Sequence, residues 1–254
     1  MIDIVPIKAL SDNYIWLLTT NEGSILVDPG ESKKIIELIE DEAIDLKGIF
    51  ITHHHYDHTN GLNDILKIKQ VDVYGPQNNI SEINKIVKEG DKFSICDIQF
   101  EVIEVPGHTL DHIAFNSINS EKNILFCGDT LFFGGCGRVF EGTYEQMFSS
   151  LNKLSSLPSD TLVYCGHEYT ASNLKFALEV DPSNDELKKE FNKVREMEHM
   201  NRCTLPSSIK KEHALNPFFR CNNLEIQNKI TNKFKVPNTE IEIFKAIRKW
   251  KDNY

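Results

Sequence analysis

Four apolar runs in this 254-residue chain end alike. Ile49-Phe50-Ile51 leads to His53, and Val102-Ile103-Glu104-Val105 leads through Pro106-Gly107 to His108. Ile124-Leu125-Phe126-Cys127 leads through Gly128 to Asp129, and Leu162-Val163-Tyr164-Cys165 leads through Gly166 to His167. Short runs of branched and aromatic residues bounded by turn formers are strands. A rigid strand that hands over to a loop is also where chains commonly place reactive side chains. If these strands lie in packed sheets, their carboxyl ends present a set of ligand-type side chains at one edge. A chain of this pattern is a mixed α/β protein whose chemistry sits on loops.

The first junction carries Thr52-His53-His54-His55-Tyr56-Asp57-His58, the pattern His-x-His-x-Asp-His. Imidazole nitrogen and carboxylate oxygen together suit zinc, iron or manganese better than magnesium or calcium. Residues two apart on an extended segment point the same way, so His53 and His55 can reach one ion. Asp57 and His58 lie where the chain turns towards a helix and can reach another, while His54 points away. The run is internal and follows a buried-looking strand, unlike a solvated histidine tract. Two ligand sets can be drawn from these candidates: His53, His55 and His108 could hold one ion, and Asp57, His58 and His167 the other. Asp129 has two oxygens with which to bridge them. Two metals ~3.5–4 Å apart clamp a water and lower its pKa from 15.7 towards ~7. The product is a hydroxide aimed at a carbonyl or phosphoryl centre.

Residues 13–19 and 24–27 are expected as strands, the second stopped by Asp28-Pro29-Gly30. Residues 33–44 are expected as a helix with Ile35, Leu38 and Ile39 on one face, and residues 61–66 as another. Residues 71–74 form a short strand. Ile80, Ile83 and Val87 keep helical spacing up to Glu89-Gly90, which predicts a further helix. Residues 93–95 and 98–102 flank Cys96-Asp97 as a hairpin. Thr143-Tyr144-Glu145-Gln146, Ser183-Asn184-Asp185-Glu186 and Thr239-Glu240-Ile241-Glu242 each predict a capping box opening a helix. The last of these helices turns Phe244, Ile247 and Trp250 inward. Past His167 the pattern becomes mostly helical. This places residues 1–170 in an α/β metal-binding catalytic domain and residues 171–254 in a helical one.

The formal charge of −10 argues against a nucleic-acid partner. No apolar run approaches the ~18 residues that a membrane span requires. The N-terminal segment shows no signal-peptide pattern. Six scattered cysteines without a C-x-x-C pair fit reduced thiols in the cytoplasm.

The His-x-His-x-Asp-His signature, with the later His108, Asp129 and His167, resembles the metallo-β-lactamase superfamily. Within it the chain is similar over nearly its whole length to the glyoxalase II (hydroxyacylglutathione hydrolase) family. The matching segments include Asp12-Asn13-Tyr14, Val27-Asp28-Pro29-Gly30, Pro106-Gly107-His108-Thr109 and Cys127-Gly128-Asp129-Thr130-Leu131-Phe132. Further on they include Gly135-Cys136-Gly137-Arg138, Cys165-Gly166-His167-Glu168-Tyr169-Thr170, Asn173-Leu174-Lys175-Phe176-Ala177 and Arg248-Lys249-Trp250-Lys251-Asp252.

The resemblance implies an α/β fold, the four-layer αβ/βα sandwich of metallo-β-lactamases, with a small C-terminal helical substrate-binding domain. It implies hydrolysis of S-(2-hydroxyacyl)glutathione, typically S-D-lactoylglutathione, to glutathione and D-lactate, the second step of methylglyoxal detoxification. The implied cofactors are two divalent ions per chain, zinc first, with iron or manganese as alternatives. Asp57, His58 and Asp129 then hold the metal-bound hydroxide that attacks.

Arg138, Phe140 and Tyr169 stand at family positions that touch the peptide. Some members have lysine at Arg138 and tyrosine at Phe140, and phenylalanine packs but cannot donate a hydrogen bond. Arg248 and Lys251, three apart on the last helix, share a face. As a partly exposed cation pair they could meet the glycine carboxylate. Asp111 replaces a common glycine, with an expected effect on its own loop only.

Other candidates receive plainer expectations. His112 braces or packs, His199 and His213 are ordinary surface or packing residues, and Lys188-Lys189 and Lys210-Lys211 are solvated faces. Asp28 either hydrogen-bonds a ligating imidazole or is a turn carboxylate. Cys127, Cys136 and Cys165 are small buried residues rather than nucleophiles. The rival activities are a mononuclear persulfide dioxygenase, a lactonase or β-lactamase, and a metal- or glutathione-binding module without turnover. The expected partner is a small-molecule glutathione thioester, acted on by a cytoplasmic monomer that binds neither nucleic acid nor membrane.

Overall fold

The computed structural model describes residues 2–118 and 120–254. Two compact units are present. The first comprises Met1–Glu104 and Asp111–Gly128, and the second Val105–Leu110 and Asp129–Tyr254.

In the first unit, β1 (Asp3–Ala9), β2 (Asn13–Thr20) and β3 (Gly23–Val27) form an antiparallel meander. After α1 (Lys33–Glu40), β4 (Leu46–Phe50) joins β3 in parallel. Then come α2 (Tyr56–Thr59), α3 (Leu62–Ile68), β5 (Asp72–Gly75) and β6 (Lys85–Ile86), and the sheet runs in the order β1-β2-β3-β4-β5-β6. The antiparallel strands β7 (Lys92–Ile95), β8 (Ile98–Glu104), β9 (Ile113–Ile118) and β10 (Ile124–Gly128) follow as neighbours in that sequence.

Alternating faces on β8 (Ile98, Phe100 and Val102 in, Gln99 and Glu101 out) turn one side towards the first sheet. Phe50 of β4 stacks on Phe115 of β9 with centroids 4.5 Å apart, and meets Phe100 edge-on at 5.0 Å. On its other face the first sheet is covered by Ile35 of α1 and Leu62 and Ile65 of α3, buried in one cluster with Ile49, Ile51 and Val73. Each such side chain contributes ~1.5–3 kcal/mol on burial. This packing makes the end of β4 a rigid launch point for the histidine loop.

Two expectations here are corrected. The helix expected over residues 33–44 stops at Glu40, because Glu42 takes a left-handed conformation at φ 54° and turns the chain into β4. No helix covers Ile80 to Val87. Residues 85–86 instead add a parallel edge strand, pairing Tyr74 with Lys85, and the Asn84 side chain accepts from Val73 N at 2.9 Å. Ile83 is buried but Ile86 is 60% exposed, so the apolar spacing there does not describe one packed face.

The second unit holds a two-stranded hairpin, β11 (Leu131–Phe132) with β12 (Gly135–Cys136). Next are α4 (Tyr144–Ser155), β13 (Leu162–Cys165), α5 (Thr170–Val180), α6 (Asp185–His199) and β14 (Ser207–Ser208), which pairs with β13. The chain finishes with α7 (Ile209–Leu215), α8 (Leu224–Phe234) and α9 (Glu240–Asp252). Phe244 of α9 is the hub of its core, with Phe148 at 5.4 Å and Phe218 at 5.6 Å.

Of the three expected capping boxes, the one at Thr143 forms in full. The second helix starts one residue later than expected, with Asn184 as the capping acceptor for Leu187 N. Thr239 precedes α9 but makes no side-chain cap bond. The carboxylate of Glu242 is instead drawn to Lys245 at 2.9 Å, which also reaches Glu145 at 2.6 Å. Among the described residues, no helix is long and apolar enough to cross a membrane.

Candidate metal centre

In the first unit the histidine loop runs from the end of β4 into α2. Asp28 stands behind it, held at φ 53° in the left-handed region that aspartate tolerates. Its carboxylate accepts from Thr52 N at 2.8 Å, Thr52 Oγ1 at 2.7 Å and His58 Nδ1 at 3.0 Å. The one hydroxyl proton of Thr52 goes to Asp28. Thr52 Oγ1 therefore accepts, at 3.0 Å, the Nδ1 proton of His53. One buried acid thus sets two imidazoles so that each carries its lone pair on Nε2. Asp28 therefore braces the His58 imidazole rather than serving the turn alone.

Asp57 Oδ2 lies 3.5 Å from His58 Nε2 and accepts from Asn13 Nδ2 at 2.9 Å. Gly30 lets this loop close down, since a Cβ there would stand 1.8 Å from Asp57 O. His54 turns outward, its Nδ1 2.9 Å from Asp111 Oδ1, and Asn78 holds the other oxygen of Asp111. Asp111 therefore ties two loops rather than only shaping its own. His112 packs, stacked on His53 at 4.6 Å and bonded through Nδ1 to Ile113 O.

In the second unit, His108 donates from Nδ1 to Arg138 O at 2.8 Å, again leaving Nε2 as the basic nitrogen. Its Nε2 is 3.4 Å from Asp129 Oδ2, and His167 Nε2 is 3.2 Å from that same oxygen. Gly137 allows the approach behind them, because a Cβ there would lie 1.9 Å from Asp129 O. Donor atoms sharing a tetrahedral ion at 2.0–2.2 Å are about 3.3–3.6 Å apart. The within-unit pairs, 3.2–3.5 Å apart, come close to that spacing, and the donor set is nitrogen and carboxylate oxygen throughout. These residues fit divalent metal.

Residues 10–167 match the metallo-β-lactamase superfamily, and residues 168–254 match the hydroxyacylglutathione hydrolase C-terminus. The hydroxyacylglutathione hydrolase of Aliivibrio fischeri (strain ATCC 700601 / ES114) is 44% identical over 257 residues, covering 100% of each chain. The chain belongs to the hydroxyacylglutathione hydrolase family.

Among solved structures, ETHE1 from Myxococcus xanthus aligns with a TM-score of 0.65 at 23% identity, covering 98% of each chain. TTHA1623, solved in a di-iron-bound form, aligns with a TM-score of 0.59 at 22% identity, covering 85% of this chain and 99% of its own. The metallo-β-lactamase fold expected from the sequence is the fold found, with a helical C-terminal region.

All five family positions expected to touch substrate lie in the second unit. The Tyr169 ring lies parallel to that of His167 at 4.7 Å, and the 61%-exposed Phe140 meets His108 edge-on at 5.3 Å. Arg138 is exposed and reaches Asp252 Oδ1 at 3.3 Å. Arg248 is not partly exposed. It is 4% accessible, donates to Cys136 O at 2.7 Å and pairs with Asp252 Oδ1 at 3.1 Å.

Lys251 sits over Phe176 at 5.0 Å. Burial, aided by the nearby Arg248 charge, lowers its pKa to about 8. His213 is on the surface, bonded to Ser155 O, and His199 is also exposed. The six cysteines are free thiols, and Cys127, Cys136 and Cys165 are buried as expected.

Asn13, Thr52 and Asp252 received no individual role from sequence. Asn13 and Asp252 lay inside segments resembling the family, but nothing local said that one would hold Asp57 and the other would join two arginines.

Proposed function

We propose that this protein hydrolyses S-(2-hydroxyacyl)glutathione, S-D-lactoylglutathione foremost, to glutathione and a 2-hydroxy acid. The match of residues 168–254 to the hydroxyacylglutathione hydrolase C-terminus carries the reading. Ligands of the lactamase type alone serve many chemistries.

His53, His55 and His108 would hold one divalent ion, Asp57, His58 and His167 would hold a second, and Asp129 would serve both. Support comes from the Nδ1 braces on three of the histidines and from the donor spacings of 3.2–3.5 Å within each unit. Zinc suits this donor set, with iron or manganese as alternatives. When bound, such a pair polarises the thioester carbonyl and lowers the pKa of a clamped water towards ~7.

The chain's own residues orient and bind. Asn13 steadies the Asp57 carboxylate beside His58. The leaving thiolate is stable enough to depart without a strong general acid. Lys251 and Arg248 take the glycine carboxylate and Arg138 and Tyr169 the peptide, while Phe140 contributes packing alone. Residues 1–170 act as the catalytic domain and 171–254 as the substrate-binding domain. The protein works as a monomer in the reducing cytoplasm and engages neither nucleic acid nor membrane.

The test is turnover of S-D-lactoylglutathione beside β-lactam, lactone and persulfide substrates, with metal counted in the same sample. Thioester turnover with two ions per chain is expected. Oxygen consumption on persulfide with one iron would overturn the assignment.

A further inference from the structure

A wholly buried carboxylate sits against the β11–β12 hairpin. Glu212 of α7 is 0% exposed. Its Oε2 accepts from Gly134 N at 2.9 Å and Asn216 Nδ2 at 2.9 Å, and its Oε1 accepts from Ser207 Oγ. Among the described residues no cation hydrogen-bonds it. Burial pushes its acid up to about 7, against the opposing pull of those bonds and of Lys211. A buried acid without a counterion is unfavourable to keep. This one takes no part in binding or bond breaking in the proposed function, so what it grips becomes the question.

It grips the tip of the hairpin. Asn216 Nδ2 links Glu212 to Gly135 O at 2.9 Å and reaches Phe132 O at 3.5 Å. From α5, Asn173 Nδ2 donates to Phe133 O at 3.3 Å. The two arms of this hairpin lead directly to the ligands. One follows Asp129-Thr130, and the other precedes Gly137-Arg138, where Gly137 N donates to Thr130 O at 3.1 Å. Arg138 O then takes the Nδ1 proton of His108. The seating of the hairpin therefore governs the 3.4 Å spacing of Asp129 Oδ2 from His108 Nε2.

We propose that Glu212 is a positioning residue for the metal centre: through Gly134 and Asn216 it holds the β11–β12 hairpin where Asp129 and His108 stand at ligand spacing. The inference rests on the reading of those two residues as metal ligands.

Zinc itself is the probe, titrated into metal-free full-length protein against a chromophoric chelator at a temperature where circular dichroism shows every variant folded. Glu212→Ala should weaken zinc binding by ~10–100-fold, the range for residues that orient ligands. Glu212→Gln should bind close to wild type. Its amide oxygen still accepts from Gly134 and Asn216, and its NH2 can face a Ser207 hydroxyl that has turned to accept.

Ile230→Ala, a buried change on α8, should lower Tm while keeping zinc affinity. Asn216→Ala, which breaks the relay while keeping the acid, should weaken zinc as Glu212→Ala does and carries the test if the latter does not fold. Wild-type zinc affinity in Glu212→Ala, or in Asn216→Ala where only that variant folds, would reduce Glu212 to a stability element. A loss in Glu212→Gln as large as in Glu212→Ala would overturn the hairpin mechanism. Wild-type protein that takes up no zinc would instead overturn the ligand assignment beneath it.

Discussion

The histidine loop after β4 and the last turn of α9 both gather groups of one kind around an aspartate, and they use that aspartate in opposite ways. Asp28 stands behind His58 and, through Thr52, behind His53, gripping Nδ1 and leaving Nε2 facing forward. Asp252 sits on the guanidinium nitrogens themselves, with one oxygen 3.3 Å from Arg138 Nε and 3.1 Å from Arg248 Nη2. The first arrangement orients donors without competing for them. The second holds cations together with a carboxylate, the very group that a glutathione carboxylate would have to join or replace. Rigidity suits metal ligands, whose geometry is the same in every turnover, while an exchangeable counterion suits a site that must fill and empty.

Substitutions can break this comparison. Asp129→Ala should have the largest effect, with metal lost from both positions and turnover falling beyond the ~10–100-fold typical of a bracing residue. Elemental analysis of the purified variant checks it, and a full metal complement would refute the bridging role. Asp28→Asn keeps a side chain that tolerates the left-handed backbone but removes the charge behind His58. Metal affinity should drop by about 10–100-fold, measured by chelator competition, with KM little changed.

Arg248→Ala should raise KM for glutathione thioesters and also lower stability by about 1.5–3 kcal/mol, because its charged hydrogen bonds are buried. Lys251→Ala should raise KM by about tenfold with little change in kcat, since contacts remote from the reacting bond are alike in ground and transition states. A short thioester lacking the peptide serves as control for both and should not distinguish them from wild type.

The lowered Lys251 pKa sharpens the contrast by pH. The ammonium is present below about 8 and lost above it. KM should therefore climb as pH rises through that window, and Lys251→Arg should flatten the climb. A wild-type KM that stays level across pH 7–9 would remove Lys251 from the carboxylate site. His54→Ala should have the smallest effect of all, because the ring's Nδ1 is engaged by Asp111. Metal loss matching that of His53→Ala would reverse the assignment.

Much of this protein follows from the order of its residues. The residue types, their two-residue spacing and the turn after each strand are local properties, so His53, His55, Asp57, His58, His108, Asp129 and His167 could be named as candidate ligands without coordinates. The hairpin at Cys96-Asp97 and the cap at Thr143 were equally local, and the structure contains both. Tertiary structure decided the remainder wherever a residue's state depends on distant partners. Ile80 to Val87 kept helical spacing, yet the open edge of β5 made residues 85–86 a strand. Glu242 was lost to the cap of its own helix because Lys245 claimed it. Arg248 is buried because Cys136 O, 112 positions earlier in the chain, accepts its proton. Spacing along a chain says which side chains share a direction. What lies in that direction is set by packing, and burial and charge state follow from it.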